Sequence, residues 1–179
     1  RMMLYLALQK VGEGYNVDAY DELLSISNDQ QELLTAAKEM NTAADFTNKY
    51  AQKSYSYPLF FINDSKYPWS SYYDYGYSSY STSNEQGYTS RLKAVVEVDV
   101  DEATLTYEAY CYYNDKNTLN VYIDGELVRT VPCFQIQHER KYYHTLGKGV
   151  HTIEWECVDK VDNTSYDIQI TDIAVEKTP

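Results

Sequence analysis

From residue 91 onward, apolar and polar residues alternate along the chain, and this pattern restricts the region to half-buried β-strands. The apolar members of the first two alternating runs are Leu92, Ala94, Val96, Val98, Val100, Leu105, Tyr107, Ala109, Cys111 and Tyr113. Successive side chains of a strand point to opposite faces of its sheet, so these residues are expected to pack together while their neighbours meet solvent. Two strands are therefore predicted between residues 91 and 113.

Turn signals divide the rest of this region into further short strands. Asp124-Gly125 suits a two-residue hairpin turn, in which both positions adopt positive backbone φ values. Gly147-Lys148-Gly149 predicts a second hairpin, and a change of parity at Thr171-Asp172 predicts a bulge or bend. Short strands at this spacing indicate a β-sandwich.

The first fifty residues follow a different period. Apolar residues recur there at intervals of three and four, which predicts two or three short helices. The longest apolar stripe consists of Leu33, Leu34, Ala37, Met40, Ala44 and Phe46. We therefore expect a mainly β protein, with a small α-helical N-terminal part over residues 1–53 and a jelly-roll-like β-sandwich domain over residues 54–179.

The charge and the apolar content argue against two classes of partner. Acidic residues outnumber basic ones by 27 to 15, a formal net charge of -12, so phosphate backbones and anionic membranes would be repelled. No apolar stretch approaches the length of about 18 residues that a membrane-spanning helix requires. We expect no nucleic-acid partner and no membrane insertion.

Three cysteines, Cys111, Cys133 and Cys157, lack the spacing of a zinc site. Cys111 and Cys157 each fall on the apolar face of a predicted strand. In an oxidising compartment they could bridge two sheets and leave Cys133 outside the bridge. The favoured interpretation is that they are small core residues with reduced thiols, because buried free cysteine is the commoner state of such residues.

The segment from Ser54 to Tyr88 is rich in tyrosine and serine, a composition that favours recognition over catalysis. The candidate ligand-binding residues are Trp69, Tyr72, Tyr73, Asp74, Tyr75 and Tyr77. Their flat rings suit the C–H faces of sugars, and Asp74 would fix the ligand's orientation. In the alternative interpretation the rings fold onto their own sandwich and Trp69 is a core residue.

Other aromatic residues have a structural interpretation. Trp155 alternates with glutamates on a predicted central strand, so it is expected to anchor the core. Tyr110, Tyr112 and Tyr122 lie on the opposite faces of their strands, where cross-strand packing is the expected role.

Motifs for catalysis or metal binding are missing from the sequence. There is no Gly-x-Ser-x-Gly and no phosphate-binding glycine loop, and a glycosidase would need two carboxylates facing each other across a cleft. His138, His144 and His151 lack zinc-ligand spacing. Asp162, Asp167 and Asp172 could contribute to a calcium site but are better interpreted as solvated turns. We expect no catalysis, no cofactor and no metal.

Several segments occur in an order that resembles a known domain. They are Tyr67-Pro68-Trp69, Tyr88-Thr89-Ser90, Val98-Asp99-Val100 and residues 105–110, 119–125, 146–155 and 170–173. Over roughly residues 58–179 this order resembles the MAM-like or carbohydrate-module-like jelly-roll domain of gut-bacterial surface proteins, which often lies beside BspA-like leucine-rich repeats. The tyrosine-rich insertion after Trp69 and the helical first part depart from that family.

The resemblance implies a noncatalytic module, extracellular or on a bacterial cell surface, with adjacent domains in a larger chain. We expect it to bind a glycan or a host or cell-wall surface protein through its aromatic residues. The alternative is a spacer or capping domain without a ligand of its own.

Overall fold

A computed structural model describes residues 31–35, 38, 56–64, 66–72, 76–79, 87–111, 117–136, 139–158 and 168–179. After a helical segment at residues 31–35, the elements are β1 (Phe60–Asn63), β2 (Ser70–Tyr72), β3 (Gly76–Ser78), β4 (Thr89–Cys111), β5 (Thr118–Ile123), β6 (Glu126–Pro132), α1 (Cys133–Ile136), β7 (Lys141–Val158) and β8 (Ile168–Lys177). All of the strand pairings are antiparallel. The prediction of a mainly β protein is confirmed.

The strands form one sheet in the order β2-β3-β8-β4-β7-β5-β6, with β1 paired to β4. The long strands β4 and β7 pair in two blocks that are separated by a shift of register between Val98 and Glu102. We call the part built from β1, residues 89–98 of β4, residues 149–158 of β7, β5 and β6 the first layer. The second layer consists of β2, β3, β8, residues 102–111 of β4 and residues 141–147 of β7.

The sheet folds over at the shift of register, so that the two layers face each other. Tyr107 is in register with Tyr142, which precedes Trp155 by thirteen residues of the same strand. In a straight strand Tyr142, and with it Tyr107, would lie roughly 43 Å from Trp155. The ring centroids of Tyr107 and Trp155 are only 5.6 Å apart. At the other edge the ring of Phe61 lies 5.0 Å from that of Tyr77. The arrangement is a β-sandwich made from a single folded sheet, and the pairings do not establish jelly-roll connectivity.

Two sequence predictions about this bend are wrong. Residues 91–113 were expected to form two strands, but residues 89–111 form the single strand β4. The predicted hairpin at Gly147-Lys148-Gly149 is absent, because β7 continues through these residues and stays paired with β4 on both sides of them. Gly149 has a φ of 131°, which favours glycine, so it accommodates a bend between the layers and not a reversal of the chain.

The other two turn predictions are confirmed. Asp124 and Gly125 have φ values of 53° and 82° and connect the paired strands β5 and β6. Asp172 has a φ of 52° and lies where the pairing of β8 with β4 shifts register, as the parity change predicted.

The core lies between the layers and is strongly aromatic. Trp155 and Tyr107 are fully buried, which confirms the core role predicted for Trp155. The Tyr107 ring is stacked on Tyr142 and His144 at centroid distances of 5.5 and 5.7 Å, and its hydroxyl lies 2.9 Å from Nε2 of His144. Burial raises the pKa of Tyr107 and lowers that of His144, because both charged forms would lose solvation here.

The disulfide joins Cys111 to Cys133, so the expectation of reduced core thiols is wrong for these two residues, and the Cys111–Cys157 bridge considered from the sequence does not form. Cys111 ends β4 in the second layer, and α1 places Cys133 beside it with a Cα–Cα distance of 5.9 Å. Cys157 is buried in the first layer, opposite Ser90 and Leu119. The bridge therefore ties the end of β4 to the segment that follows β6.

Part of the predicted helical region contacts the sheet. Residues 31–35 are helical, Leu33 and Leu34 are buried, and Nζ of Lys38 lies 5.6 Å from the centroid of the Phe60 ring on β1. The rest of residues 1–53 lies outside the described residues. Within the described part of the chain, no helix is long and apolar enough to cross a membrane.

Candidate ligand-binding surface

A polar turn organises the start of the tyrosine-rich segment. Asn63 accepts a hydrogen bond from the backbone N–H of Trp69 at 2.8 Å and donates to the Trp69 carbonyl at 2.7 Å. Oδ1 of Asp64 accepts the N–H groups of Lys66 and Tyr67 at 2.9 and 3.0 Å. Short Asn and Asp side chains are suited to replace backbone partners in this way. The turn therefore fixes the position at which Trp69 enters the sandwich.

Asp64 also ties this turn to the first layer. Its side chain is only 3% exposed, and Oδ2 accepts the backbone N–H of Arg91 at 3.2 Å, with Nε of Arg91 at 3.9 Å. A buried carboxylate is tolerated when several donors replace its water shell. The arrangement of donors indicates a structural carboxylate and not a ligand contact.

Two of the candidate ligand-binding residues belong to the core. Trp69 is 2% exposed and Tyr77 is 5% exposed, and the Tyr77 ring packs against Phe61. Neither ring offers a ligand an accessible face, so their predicted role in contacting ligand is corrected to anchoring. The physical reason is that a large aromatic side chain stabilises the fold most when its apolar area is removed from water.

The two anchors belong to a small hairpin formed by β2 and β3, with Trp69 directly before β2 and Tyr77 within β3. Ser70 pairs with Ser78, and Tyr72 pairs with Gly76, so the two strands are joined by residues 73–75. The side chain of Tyr72 and all of Tyr73, Asp74 and Tyr75 lie outside the described residues. Ligand contact by these four residues stays a prediction.

Gly76 allows this hairpin to approach β8 closely. A Cβ atom at this position would lie 2.3 Å from the carbonyl oxygen of Ile170 and 2.5 Å from Cγ2 of Thr171. Only glycine fits at such a distance from a neighbouring backbone. Glycine at position 76 is therefore required for the hairpin to pack this closely against β8 in the second layer.

The outer face of the second layer carries an aromatic residue that the sequence analysis did not select. Tyr143 on β7 is 61% exposed, whereas its neighbours Tyr142 and His144 are more buried. Its parity relative to buried Tyr142 and Leu146 is the signal that could have identified it. Tyr110, on β4, also faces outward and is half-buried, in agreement with the face predicted for it.

The hairpin and Tyr143 belong to the same layer. Gly76 is in register with Thr171, Thr171 with Glu108, and Glu108 with Lys141, which is two residues from Tyr143. Three strand spacings of about 4.8 Å put the hairpin roughly 14 Å from β7. The distance is short enough for one extended ligand to span both features.

The outer face of the first layer contains a cluster of polar side chains that contact one another. Nζ of Lys93 lies 3.2 Å from Oε1 of Glu154, in the geometry of an ion pair and not of an aligned hydrogen bond. Glu156 accepts hydrogen bonds from Asn120 at 3.0 Å and from Tyr122 at 3.3 Å. Burial raises the pKa of Glu154 against the opposing effect of Lys93.

This cluster does not have the geometry of a hydrolase site. Glu154 and Glu156 are side by side on one face of β7, each engaged by its own partner, and do not face each other across a cleft. Glycosidases need two carboxyl groups on opposite sides of the scissile bond. Among the described residues, no cluster of three or more His, Cys, Asp and Glu side chains could hold a metal ion.

The histidines have structural partners where they are described. His144 contacts Tyr107 in the core, and His151 bridges Oδ2 of Asp124 and the carbonyl of Gly147, each at 2.7 Å. His138 lies outside the described residues, as do Asp162 and Asp167.

No protein-family model and no curated protein sequence matches this chain. Among solved structures, the secreted serine protease VesC from Vibrio cholerae is similar over 68% of this chain and 25% of its own, with 12% identity and a TM-score of 0.48. The adhesin domain of Epf from Streptococcus pyogenes is similar over 57% of this chain and 44% of its own, with 11% identity and a TM-score of 0.39. The structure of TmCBM61 in complex with β-1,4-galactotriose is similar over 73% of this chain and 93% of its own, with 9% identity and a TM-score of 0.41.

The chain thus spans about a quarter of VesC and less than half of the Epf domain. Similarity at these scores assigns neither a family nor a function.

Proposed function

We propose that this domain is a noncatalytic glycan-binding module whose ligand lies on the outer face of the second layer. The observation that carries the proposal is the 61% exposure of Tyr143 on a regular strand of a two-layer scaffold. Exposed tyrosine rings offer a flat apolar face to sugar C–H groups and a hydroxyl for hydrogen bonding.

The tyrosine-rich hairpin supplies the second part of the proposed site. Tyr72, Tyr73, Asp74 and Tyr75 are the proposed contacts, since they end β2 or connect it to β3 in the hairpin anchored by Trp69 and Tyr77. Rigid anchors on both sides lower the ordering cost of a binding loop.

The proposed location is extracellular or on a bacterial cell surface, within a larger surface protein. The Cys111–Cys133 disulfide supports this location, because disulfides persist in oxidising compartments. The net charge of -12 supports a ligand other than nucleic acid.

A glycan array, followed by titration calorimetry on the strongest ligand, tests the proposal. We expect Tyr143→Ala and Tyr75→Ala each to weaken binding, because each removes one aromatic contact. Leu127→Ala is the matched control, since Leu127 is 54% exposed but belongs to the first layer. Unchanged affinity in both tyrosine variants, with the fold intact by circular dichroism, would contradict the proposed site.

A spacer or capping domain is the second candidate. The burial of Trp69 and Tyr77 favours it, because aromatic residues that pack inward add rigidity and not a binding face. Solvent perturbation of tyrosine absorbance separates the two candidates: a spacer requires most of the rings to be inaccessible, whereas a binding module requires an accessible group of them.

A further inference from the structure

Two cations, the first residue of β7 and the residue directly before it, each lie over an outward-facing tyrosine. Nζ of Lys141 is 5.8 Å from the centroid of the Tyr143 ring, and Cζ of Arg140 is 5.2 Å from that of Tyr110. Both distances are within the range of about 6 Å at which a cation is attracted to the face of a ring. We call these four residues the cationic tyrosine patch.

Two other pairs of this kind occur, and in one of them, Lys66 at 5.1 Å from the Tyr67 ring, the cation likewise forms no ion pair among the described residues, whereas the other is charge-balanced. Arg129 lies 5.2 Å over the ring of Tyr142, but its Nη2 is also 2.9 Å from Oε2 of Glu139, so its charge is neutralised. Among the residues that the structure describes, Arg140 and Lys141 form no such ion pair, even though Glu108 is in register with Lys141.

The two cations of the patch are exposed and adjacent in sequence, which sets them apart from Lys66 and Lys148, isolated exposed cations that likewise form no ion pair among the described residues. The positive charge of the patch is therefore local, and it coincides with the most exposed aromatic ring among the described residues.

The spacing of the patch suits an extended ligand. Tyr143 is in register with Thr106, which is four residues from Tyr110 along β4. Four strand residues correspond to roughly 13 Å, so the two aromatic contacts are farther apart than one sugar ring extends. The ligand must run along the strands to reach both.

We propose that the cationic tyrosine patch binds an acidic polysaccharide whose sugar rings carry carboxylates, such as a polymer of uronic acids. This inference rests on the proposed glycan-binding function and specifies the class of glycan. A pyranose ring would pack on Tyr143 while its carboxylate, attached directly to the ring, pairs with Lys141. The planar guanidinium of Arg140 would bind the carboxylate of a later sugar through two parallel hydrogen bonds.

Binding of the intact chain to polygalacturonate and to its carboxyl-reduced, neutral form tests the proposal by affinity electrophoresis and calorimetry. We expect polygalacturonate to bind roughly tenfold more tightly than the neutral form, and Lys141→Gln and Arg140→Gln each to weaken its binding roughly three- to tenfold. Tyr143→Ala should weaken binding of both polymers, because the sugar ring contact is common to them. Lys148→Gln makes the same charge change on β7 at the bend between the two layers, away from the patch, and should leave both affinities unchanged.

Each contrary result has a distinct meaning. Equal binding of the acidic and neutral polymers, insensitive to Lys141→Gln, would overturn the acidic class and leave the glycan-binding function standing. Binding of dextran sulfate, which carries no carboxylates, but not of polygalacturonate would overturn the carboxylate assignment, and equal binding of poly-glutamate would show that no sugar ring is recognised. If no neutral or acidic polysaccharide binds, the proposed function itself fails.

Discussion

Removal of the Cys111–Cys133 disulfide is expected to destabilise the domain by an amount that follows from the length of the loop it closes. The bridged residues are separated by 22 positions, and a closed loop of that length restricts the unfolded chain enough to stabilise the fold by roughly 3 kcal/mol. The loop contains β5, β6 and the start of α1, so the bridge also limits the separation of this hairpin from the end of β4.

Urea unfolding with and without reductant measures this contribution. For a slope of about 2 kcal/mol per molar urea, a loss of about 3 kcal/mol lowers the midpoint by roughly 1.5 M. Cys111→Ala/Cys133→Ala should unfold at the lowered midpoint and show no response to reductant. Cys157→Ala is the matched control: it removes a buried sulfur, but its response to reductant should equal that of the wild type.

Peptide mapping after alkylation under nonreducing conditions gives the decisive result. The structure requires the alkylated cysteine, once the chain is unfolded, to be Cys157. Recovery of alkylated Cys133, together with loss of the reductant response in Cys157→Ala, would refute the assignment and restore the bridge that the sequence pattern suggested.

Three further predictions concern the hairpin and the buried charges. Gly76→Ala should displace the hairpin, lower the free energy of unfolding by roughly 1–3 kcal/mol and speed hydrogen exchange in residues 70–78. Gly147→Ala is the control and should exchange like the wild type, because its added Cβ would have its nearest neighbour at 4.0 Å. Equal exchange in the two variants would contradict the close approach of Gly76 to β8. Burial lowers the pKa of His144, so on acidification the unfolded chain is protonated at this residue at a higher pH than the folded chain. The stability that the neutral ring contributes should therefore be lost as the pH falls from about 6.5, and His144→Gln should flatten that part of the curve of stability against pH. Lys93→Met should raise the pKa of Glu154 further and destabilise the domain by about 1–3 kcal/mol at neutral pH, with partial recovery on acidification as Glu154 is protonated; a loss that does not depend on pH would exclude the ion pair as its cause.

The sequence predicted the faces of the strands well, because alternation depends only on which side of a strand each residue occupies. Trp155 and Tyr107 are buried and Tyr110 faces outward, as their parity required. The turn at Asp124-Gly125 was also predictable, since a two-residue hairpin with positive φ values has few suitable residue pairs.

The path of the sheet was not predictable from the same pattern. Gly147-Lys148-Gly149 has the composition of a hairpin turn, but the pairing of β7 with β4 on both sides of it turns the glycines into a bend. Glycine permits both conformations, and only pairing with a distant strand selects between them. The same long-range fold brings Cys111 to Cys133, which is why strand parity alone did not identify this pair.

The aromatic residues show most clearly what composition leaves open. Trp69 and Tyr77 look like binding residues because they stand in a tyrosine-rich run, yet their burial makes them supports for that run. Tyr143 lies outside the run and is exposed, because its neighbour Tyr142 takes the inward position on β7. A surface that holds a ligand by aromatic contact needs rigid buried rings as well as accessible ones, so the two roles are best separated by parity and pairing and not by residue type. The same criterion selects the cationic tyrosine patch, where outward parity and cations without carboxylate partners coincide on one strand end.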